Sequence, residues 1–329
     1  MSLRYSLSIL LLIVSPSFSF AQETPKKMIF KIGVTQTVSY PDFDADARGF
    51  EKALAEAGFK EGIHVIYDRQ NAQGNLNHAQ AIAQKFLNTK VDLIHCIATP
   101  SSQAVMKTVK SIPVVFSSVT DPVDAGLIPP PSPLGTRTGM NITGVSDRWP
   151  VSLQFEMVTK FFPRAKKWGT IHNPVDPKSI FYIREMRETA KKLGVELIEA
   201  TISSECETLQ AVQFLSEKVL AIHITFDYMA ISSFDTIVKV CNEKKIPLFG
   251  GDLKCVSRGA MAAYGLDYFQ IGHSAGRKAV QILKGEKPGD IPWELGDKLL
   301  LMVNEKAAKA QGAVISPELL KKADKVITE

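Results

Sequence analysis

The chain has few of the residues that covalent frameworks and metal centres require. It carries four cysteines in 329 residues, Cys96, Cys206, Cys241 and Cys255. None forms a Cys-x-x-Cys pair and no histidines fall at ligand spacing, so neither a metal nor any other cofactor is expected. Cys241 and Cys255 flank one expected strand. An oxidising compartment would permit a disulfide there, which sequence alone does not establish. The formal charge of +5 is scattered. No run of five Lys or Arg occurs, which removes the electrostatic footprint of a nucleic-acid partner. There is no Gly-x-Ser-x-Gly elbow for a hydrolase and no Gly-x-Gly-x-x-Gly after the first strand for a dinucleotide enzyme, so an enzyme is not expected.

The N-terminus carries the clearest local signal. Arg4 supplies a positive start, and Leu7 to Val14, broken only by Ser8, is an apolar stretch too short to span a bilayer. Ser19-Phe20-Ala21 places small residues at both positions a signal peptidase reads, so residues 1–21 are expected to be a cleaved signal peptide, with Gln22 as the new N-terminus and a periplasmic destination. No cysteine follows the apolar stretch, so a lipid anchor is not indicated.

Two distant stretches follow one plan. The first runs helix, Gly58, strand, helix, then Val91-Asp92-Leu93-Ile94-His95-Cys96-Ile97, and after another helix Ile112-Pro113-Val114-Val115-Phe116. The second runs helix, Gly194, strand, helix, then Val219-Leu220-Ala221-Ile222-His223-Ile224-Thr225, and later Ile246-Pro247-Leu248-Phe249. The offset of about 130 residues is far longer than a solenoid period. Unbroken apolar strands alternating with helices predict parallel sheets covered on both faces. The fold expected is α/β, with two doubly wound parallel-sheet lobes joined by a multi-strand hinge. Lobe one is expected over 28–140 plus about 267–290, and lobe two over 141–266 plus about 291–329. Residues 129–139, with four prolines and two glycines, read as a crossing segment, and Asn141 to Ser146 as a strand entering the second lobe. Small ligands bind at the carboxyl edges of such sheets, so a cleft between the lobes is the expected site.

Several ordered blocks resemble one group of ABC-transporter substrate-binding proteins. They are Pro113-Val114-Val115-Phe116 with Val119-Thr120-Asp121-Pro122-Val123-Asp124-Ala125-Gly126-Leu127, then Asn141-Ile142-Thr143-Gly144-Val145-Ser146, His172-Asn173-Pro174, Gly265-Leu266-Asp267-Tyr268 with Gly272, and Val303-Asn304 with Ala307-Ala308. The resemblance implies a type I periplasmic-binding fold. It also implies a small-molecule ligand, in this group often an amino acid, delivered to an ABC permease by a monomeric protein. A sensor that presents its ligand to a membrane receptor needs the same clamp and stays open as the alternative. A transcription factor of this fold would carry a DNA-binding helix pair where the signal peptide stands.

Candidate ligand residues follow the strands. Thr99, Ser101 and Ser102 open a helix after the third strand, where exposed N–H groups and hydroxyls suit a carboxylate; an ordinary cap explains them equally well. Gln36, Thr37 and Tyr40 follow the first strand, and Tyr40 could stack on a flat ligand or simply staple a loop. Ser117 and Asp121 follow the fourth strand, with Asp121-Pro122 fitting a turn device better than a contact. In the second lobe Asn173, Ser179, Asp227 and Asp252 are the candidates. Asp252 follows Gly250-Gly251, whose lack of side chains would let backbone approach a ligand, and is the first choice to pair with a ligand ammonium, with Asp227 second or else a helix cap. His95 and His223 are read as core histidines. Tyr40, Phe226, Tyr228 and Tyr264 lie near expected strand ends and would favour an apolar or aromatic side chain, although core residues also stand at such places, while Trp149 is read as a packing residue at the hinge.

Overall fold

The computed structural model describes residues 29–328, so the expected signal peptide lies outside the described residues. The first sheet contains β1 (Phe30–Gln36), β2 (Val65–Asn71), β3 (Leu93–Ile97), β4 (Val114–Ser117) and β5 (Ile142–Ser146). The second contains β6 (Lys167–His172), β7 (Glu196–Thr201), β8 (Ala221–Ile224), β9 (Leu248–Gly250) and β10 (Ala262–Leu266). Late segments complete both: β11 (Glu294–Leu295) joins the first, while β12 (Leu299–Asn304) and β13 (Lys325–Ile327) join the second. The orders are β11-β5-β4-β3-β1-β2 and β13-β12-β10-β9-β8-β6-β7. All pairings are parallel except β10 with β12. Central strands such as β3 and β8 are buried at every position, which is why their sequences are apolar without alternation.

The helices cover both faces. They are α1 (Pro41–Glu56), α2 (Leu76–Asn88), α3 (Thr99–Thr108), α4 (Val151–Thr159), α5 (Pro177–Leu193), α6 (Thr208–Ser216), α7 (Tyr228–Ser232), α8 (Phe234–Lys244), α9 (Lys254–Ser257), α10 (Tyr268–Leu283), α11 (Glu305–Ala310) and α12 (Pro317–Lys322). Among the described residues no helix is long and apolar enough to cross a membrane.

One sequence expectation is corrected and one question that the sequence left open is answered. Asn141 to Ser146 does not enter the second lobe: Ile142 to Val145 pair in register with Val114 to Ser117, so this strand extends the first sheet. The short strand at Glu294 also belongs there, against β5. The chain therefore passes between sheets at three places: after β5 through Asp147 to Pro150, after β10 through Asp267, and between β11 and β12 through Gly296 to Lys298. The passages touch, with Gly296 N–H on the Ser146 carbonyl at 2.8 Å and Asp267 N–H on the Lys298 carbonyl at 3.1 Å. The open question concerned Cys241 and Cys255: all four cysteines are free thiols, and burial pushes the thiols of Cys241 and Cys255 up to about 12.

Helix α10 leaves the second sheet and packs along α1 of the first lobe. The contact is backbone against backbone. A Cβ on Gly49 would lie 2.0 Å from the Phe269 carbonyl oxygen, one on Gly272 1.9 Å from that of Asp46, and one on Gly276 2.5 Å from that of Phe50. Gly272→Ala is expected to force the helices apart at a cost of about 1–3 kcal/mol or more. Chemical denaturation should show a lower midpoint with an unchanged slope, and a wild-type midpoint would refute the close contact.

Candidate functional site

The carboxyl edges of the two sheets and the three passages between them define the site. On the first lobe, β1 and β3 bring Thr37 and Ser101 together. Their hydroxyls lie 3.0 Å apart, and the Ser101 N–H donates to Thr37 Oγ1 at 3.2 Å. Thr99 begins α3, whose capping position is Ala98 with no side-chain cap. Ala98 (φ 72°) and Ser118 (φ 53°) hold left-handed backbone at the ends of β3 and β4, a strained conformation for residues with a side chain. Thr37, Thr99 and Ser101 thus form one hydroxyl-bearing corner at a helix start.

Other first-lobe candidates are committed elsewhere. Ser102 donates to the Ala98 carbonyl at 2.9 Å, inside its own helix. Gln36 donates to Asp44 at 2.9 Å. Asp121 accepts the N–H groups of Val123 and Asp124 at 2.9 and 3.0 Å, the turn device its sequence suggested. Tyr40 sits at the rim with the Lys254 ammonium 3.6 Å from its ring centre, and Lys254 also pairs with Asp42 of α1.

Ser117 belongs to a buried cluster beneath the edge. It donates to Asp46 Oδ1 at 2.9 Å and lies 2.7 Å from His95 Nε2, while Ser118 also donates to Asp46. Asp, His and Ser invite comparison with a nucleophilic triad, but the connectivity is wrong. Ser117 bonds the Asp46 carboxyl directly, and His95 Nδ1 has no partner, whereas a triad needs the acid on the far nitrogen of the histidine to orient it as a base. The imidazole is stacked on Phe50 at 3.9 Å, fully buried, and pushed down to about 3 by that burial.

On the second lobe Asp227 makes the helix cap that its sequence left open as the alternative to a ligand contact. Its Oδ1 accepts the Ala230 N–H at 2.8 Å, capping α7, and its Oδ2 accepts the Asn173 N–H at 2.6 Å and the Ser179 hydroxyl at 2.7 Å. One internal knot therefore takes up three of the four second-lobe candidates. Asp252 accepts the Lys254 N–H at 2.9 Å and is raised by burial. Its neighbouring glycines make room for side chains rather than for a ligand. A Cβ on Gly250 would meet that of Cys255 at 2.4 Å, and one on Gly251 the Trp149 ring at 2.7 Å.

At the centre of the site sequence reasoning singled out Phe226 but gave no role to Asp147 or Tyr182. Asp147, the first residue of the first passage, accepts the Tyr268 hydroxyl of the second passage on Oδ2 at 3.1 Å. Its Oδ1 is buried and has no hydrogen-bond partner. Burial raises this carboxyl, while Thr120, Lys178 and Tyr268 favour its charged form. Beside it three rings meet: Trp149 and Phe226 edge to face at 5.4 Å, and Tyr182 and Phe226 at 5.6 Å. Phe226 is partly exposed, and the Lys178 ammonium lies 5.2 Å from its ring centre and 3.5 Å from Thr120 Oγ1. The usable signal was a lone acid immediately after a fully buried strand and two residues before a tryptophan. Tyr228, by contrast, is exposed, and Tyr264 packs against the core. No group able to hold a metal ion occurs among the described residues.

Two parallel-sheet lobes joined by three passages, with polar and aromatic groups at the facing edges, define a type I periplasmic-binding fold. Residues 31–327 match the ABC transporter substrate binding protein family, and the chain belongs to it. A tyrosine-binding protein of Clostridioides difficile is 37% identical over 289 residues, covering 88% of this chain and 83% of that one. A ligand-free, open substrate-binding protein with adhesive properties from Clostridium difficile superposes with a TM-score of 0.84 at 35% identity, over 91% of this chain and 100% of that chain. An ABC domain from Streptococcus pneumonia in complex with L-Trp gives 0.71 at 30% identity, over 91% and 99%. The family binds solutes for transport and is not a family of enzymes.

The Asp46 cluster generates a pH prediction. Burial, aided by the charge of Asp147, carries Asp46 from 3.8 to about 7. The folded protein then keeps a proton that the unfolded chain releases, so this group's stabilisation is full below pH 3.8 and is lost as the pH rises to about 7. His95 and His223, pushed from 6.5 to about 3, act with the opposite sign and lose stability as the pH falls below 6.5. Comparison with Asp46→Asn isolates the first effect. The melting temperature of wild type relative to the variant should fall between pH 4 and pH 7 and then level off. A difference independent of pH would mean that Asp46 is ionised throughout.

Proposed function

We propose that this chain captures an amino acid with an apolar or aromatic side chain between its lobes and passes it to an ABC permease. The observation that carries this reading is the meeting of Trp149, Tyr182 and Phe226 beside the acid Asp147 at the passages. Flat apolar rings suit a flat or apolar side chain, and the adjoining acid suits a cation. The hydroxyl corner of Thr37, Thr99 and Ser101 at the start of α3 offers a place for the ligand carboxylate. The ligands named for two relatives, tyrosine and L-Trp, agree with this chemistry. Both walls come from one chain, so a monomer is the working unit. Export through residues 1–21 would place it where an importer collects its solute.

The test is thermal melting of protein that has been unfolded and refolded to remove carried-over ligand, against amino acids, sugars and nucleobases. At about a thousand times Kd a true ligand adds roughly 4 kcal/mol, a shift of several degrees. Tyrosine, tryptophan or an apolar amino acid should produce it, and Phe226→Ala should weaken binding by about tenfold through loss of one aromatic wall. A shift with sugars or nucleobases alone would overturn the reading.

A further inference from the structure

Four carboxylates besides Asp147 lie around the cleft, and each is already engaged. Asp42 pairs with Lys254, and Asp46 accepts Ser117 and Ser118. Asp227 accepts three donors, and Asp252 caps the Lys254 N–H. Among the described residues Asp147 alone of these acids has a buried oxygen without a partner, in a residue only 9% exposed. A charged acceptor buried without a donor is costly, so native structures fill such positions with a donor of their own or with a ligand.

We infer that Asp147 Oδ1 receives the ammonium group of the bound amino acid, with Tyr268 as the positioning residue that fixes the carboxylate through Oδ2. The inference rests on the amino-acid reading above and deepens it by naming the group that makes a free amine obligatory.

A second, independent observation points to the same chemistry. The protein already brings an ammonium of its own into this corner. Lys178 Nζ lies 5.2 Å from the centre of the Phe226 ring and 3.5 Å from Thr120 Oγ1, close enough to Asp147 to favour its negative charge. Phe226, Thr120 and Asp147 therefore form surroundings that tolerate a primary ammonium, with a ring face, a hydroxyl acceptor and a carboxylate each favouring a cation. Lys178 is exposed on α5 and free to swing away. Asp147 is held by Tyr268 and by the passage backbone, its own N–H reaching the Val119 carbonyl at 3.3 Å. The fixed acid is the receptor and the lysine a displaceable occupant of its neighbourhood.

Titration calorimetry with L-tyrosine, L-tryptophan and the amine-free 3-(4-hydroxyphenyl)propionate tests this on wild type, Asp147→Asn and Tyr268→Phe. Wild type should bind at least one of the amino acids and bind the amine-free acid at least a hundredfold more weakly. Asp147→Asn, which keeps the shape of the side chain, should lose at least a hundredfold in affinity for the amino acid while its melting curve stays cooperative. Tyr268→Phe, which leaves the charge but removes its anchor, should lose less. If Asp147→Asn does not fold, the wild-type comparison decides alone, and equal affinity for tyrosine and its amine-free analogue would overturn the assignment. Amino-acid binding that is unchanged in Asp147→Asn would also overturn it while leaving the amino-acid reading intact. No response of wild type to any amino acid would overturn the reading beneath it.

Discussion

The architecture depends on the contact between α1 and α10. Helix α10 begins directly after β10 of the second sheet, yet it buries its small-residue face on the first lobe. Ridges of ordinary side chains would hold two helices about 8–10 Å apart. Gly49, Gly272 and Gly276 bring backbone against backbone instead. That attachment requires the chain to pass to the first lobe after β10 and, because β12 and β13 lie in the second sheet, to return again. The second and third passages are therefore a consequence of where α10 docks. So is the position of Tyr268, its first residue, against Asp147 of a different passage.

Polar groups near the passages divide by what they touch. Asp46, His95, Ser117 and Ser118 form a network internal to one lobe, stacked under Phe50 and saturated apart from His95 Nδ1. Asp227, Asn173 and Ser179 form a second internal knot in the other lobe. Both set the backbone from which the site is built. Asp147 differs because its partner comes from another passage and one of its oxygens has none.

Much of the fold was legible in the sequence because it is written locally. The stripe of Phe43, Ala47, Phe50 and Leu54 marks α1, and the unbroken run around His95 marks a doubly covered strand. The sheet to which Asn141–Ser146 belongs was not legible, since pairing with β4 is a tertiary fact and the local pattern fits either sheet. Asp227 and Asp252 showed the same limit from the other side. An acid after a strand looks identical whether it caps a helix or awaits a ligand, and only the count of its donors separates the two. Gly250 and Gly251 misled for a related reason: a missing Cβ admits whatever stands nearest, here Cys255 and Trp149.

The polar links between the lobes bear on how a solute would hold them together. Lys254 with Asp42 and Tyr40 is the ion pair bridging the rim, and it is partly exposed on both sides. Burial would lower the Lys254 ammonium, but Asp42 and Tyr40 outweigh it and hold it above its ordinary value. An exposed pair of this kind contributes about 0–1 kcal/mol once solvent screens it. Lys178 on Thr120 is at the limit of hydrogen-bond length. Neither contact is strong enough to fix the lobes by itself, whereas a buried carboxylate oxygen without a partner opposes any arrangement that covers it empty. A ligand that supplies the missing donor changes the sign of that term and favours the covered arrangement, and only such differential binding can shift the balance between the two.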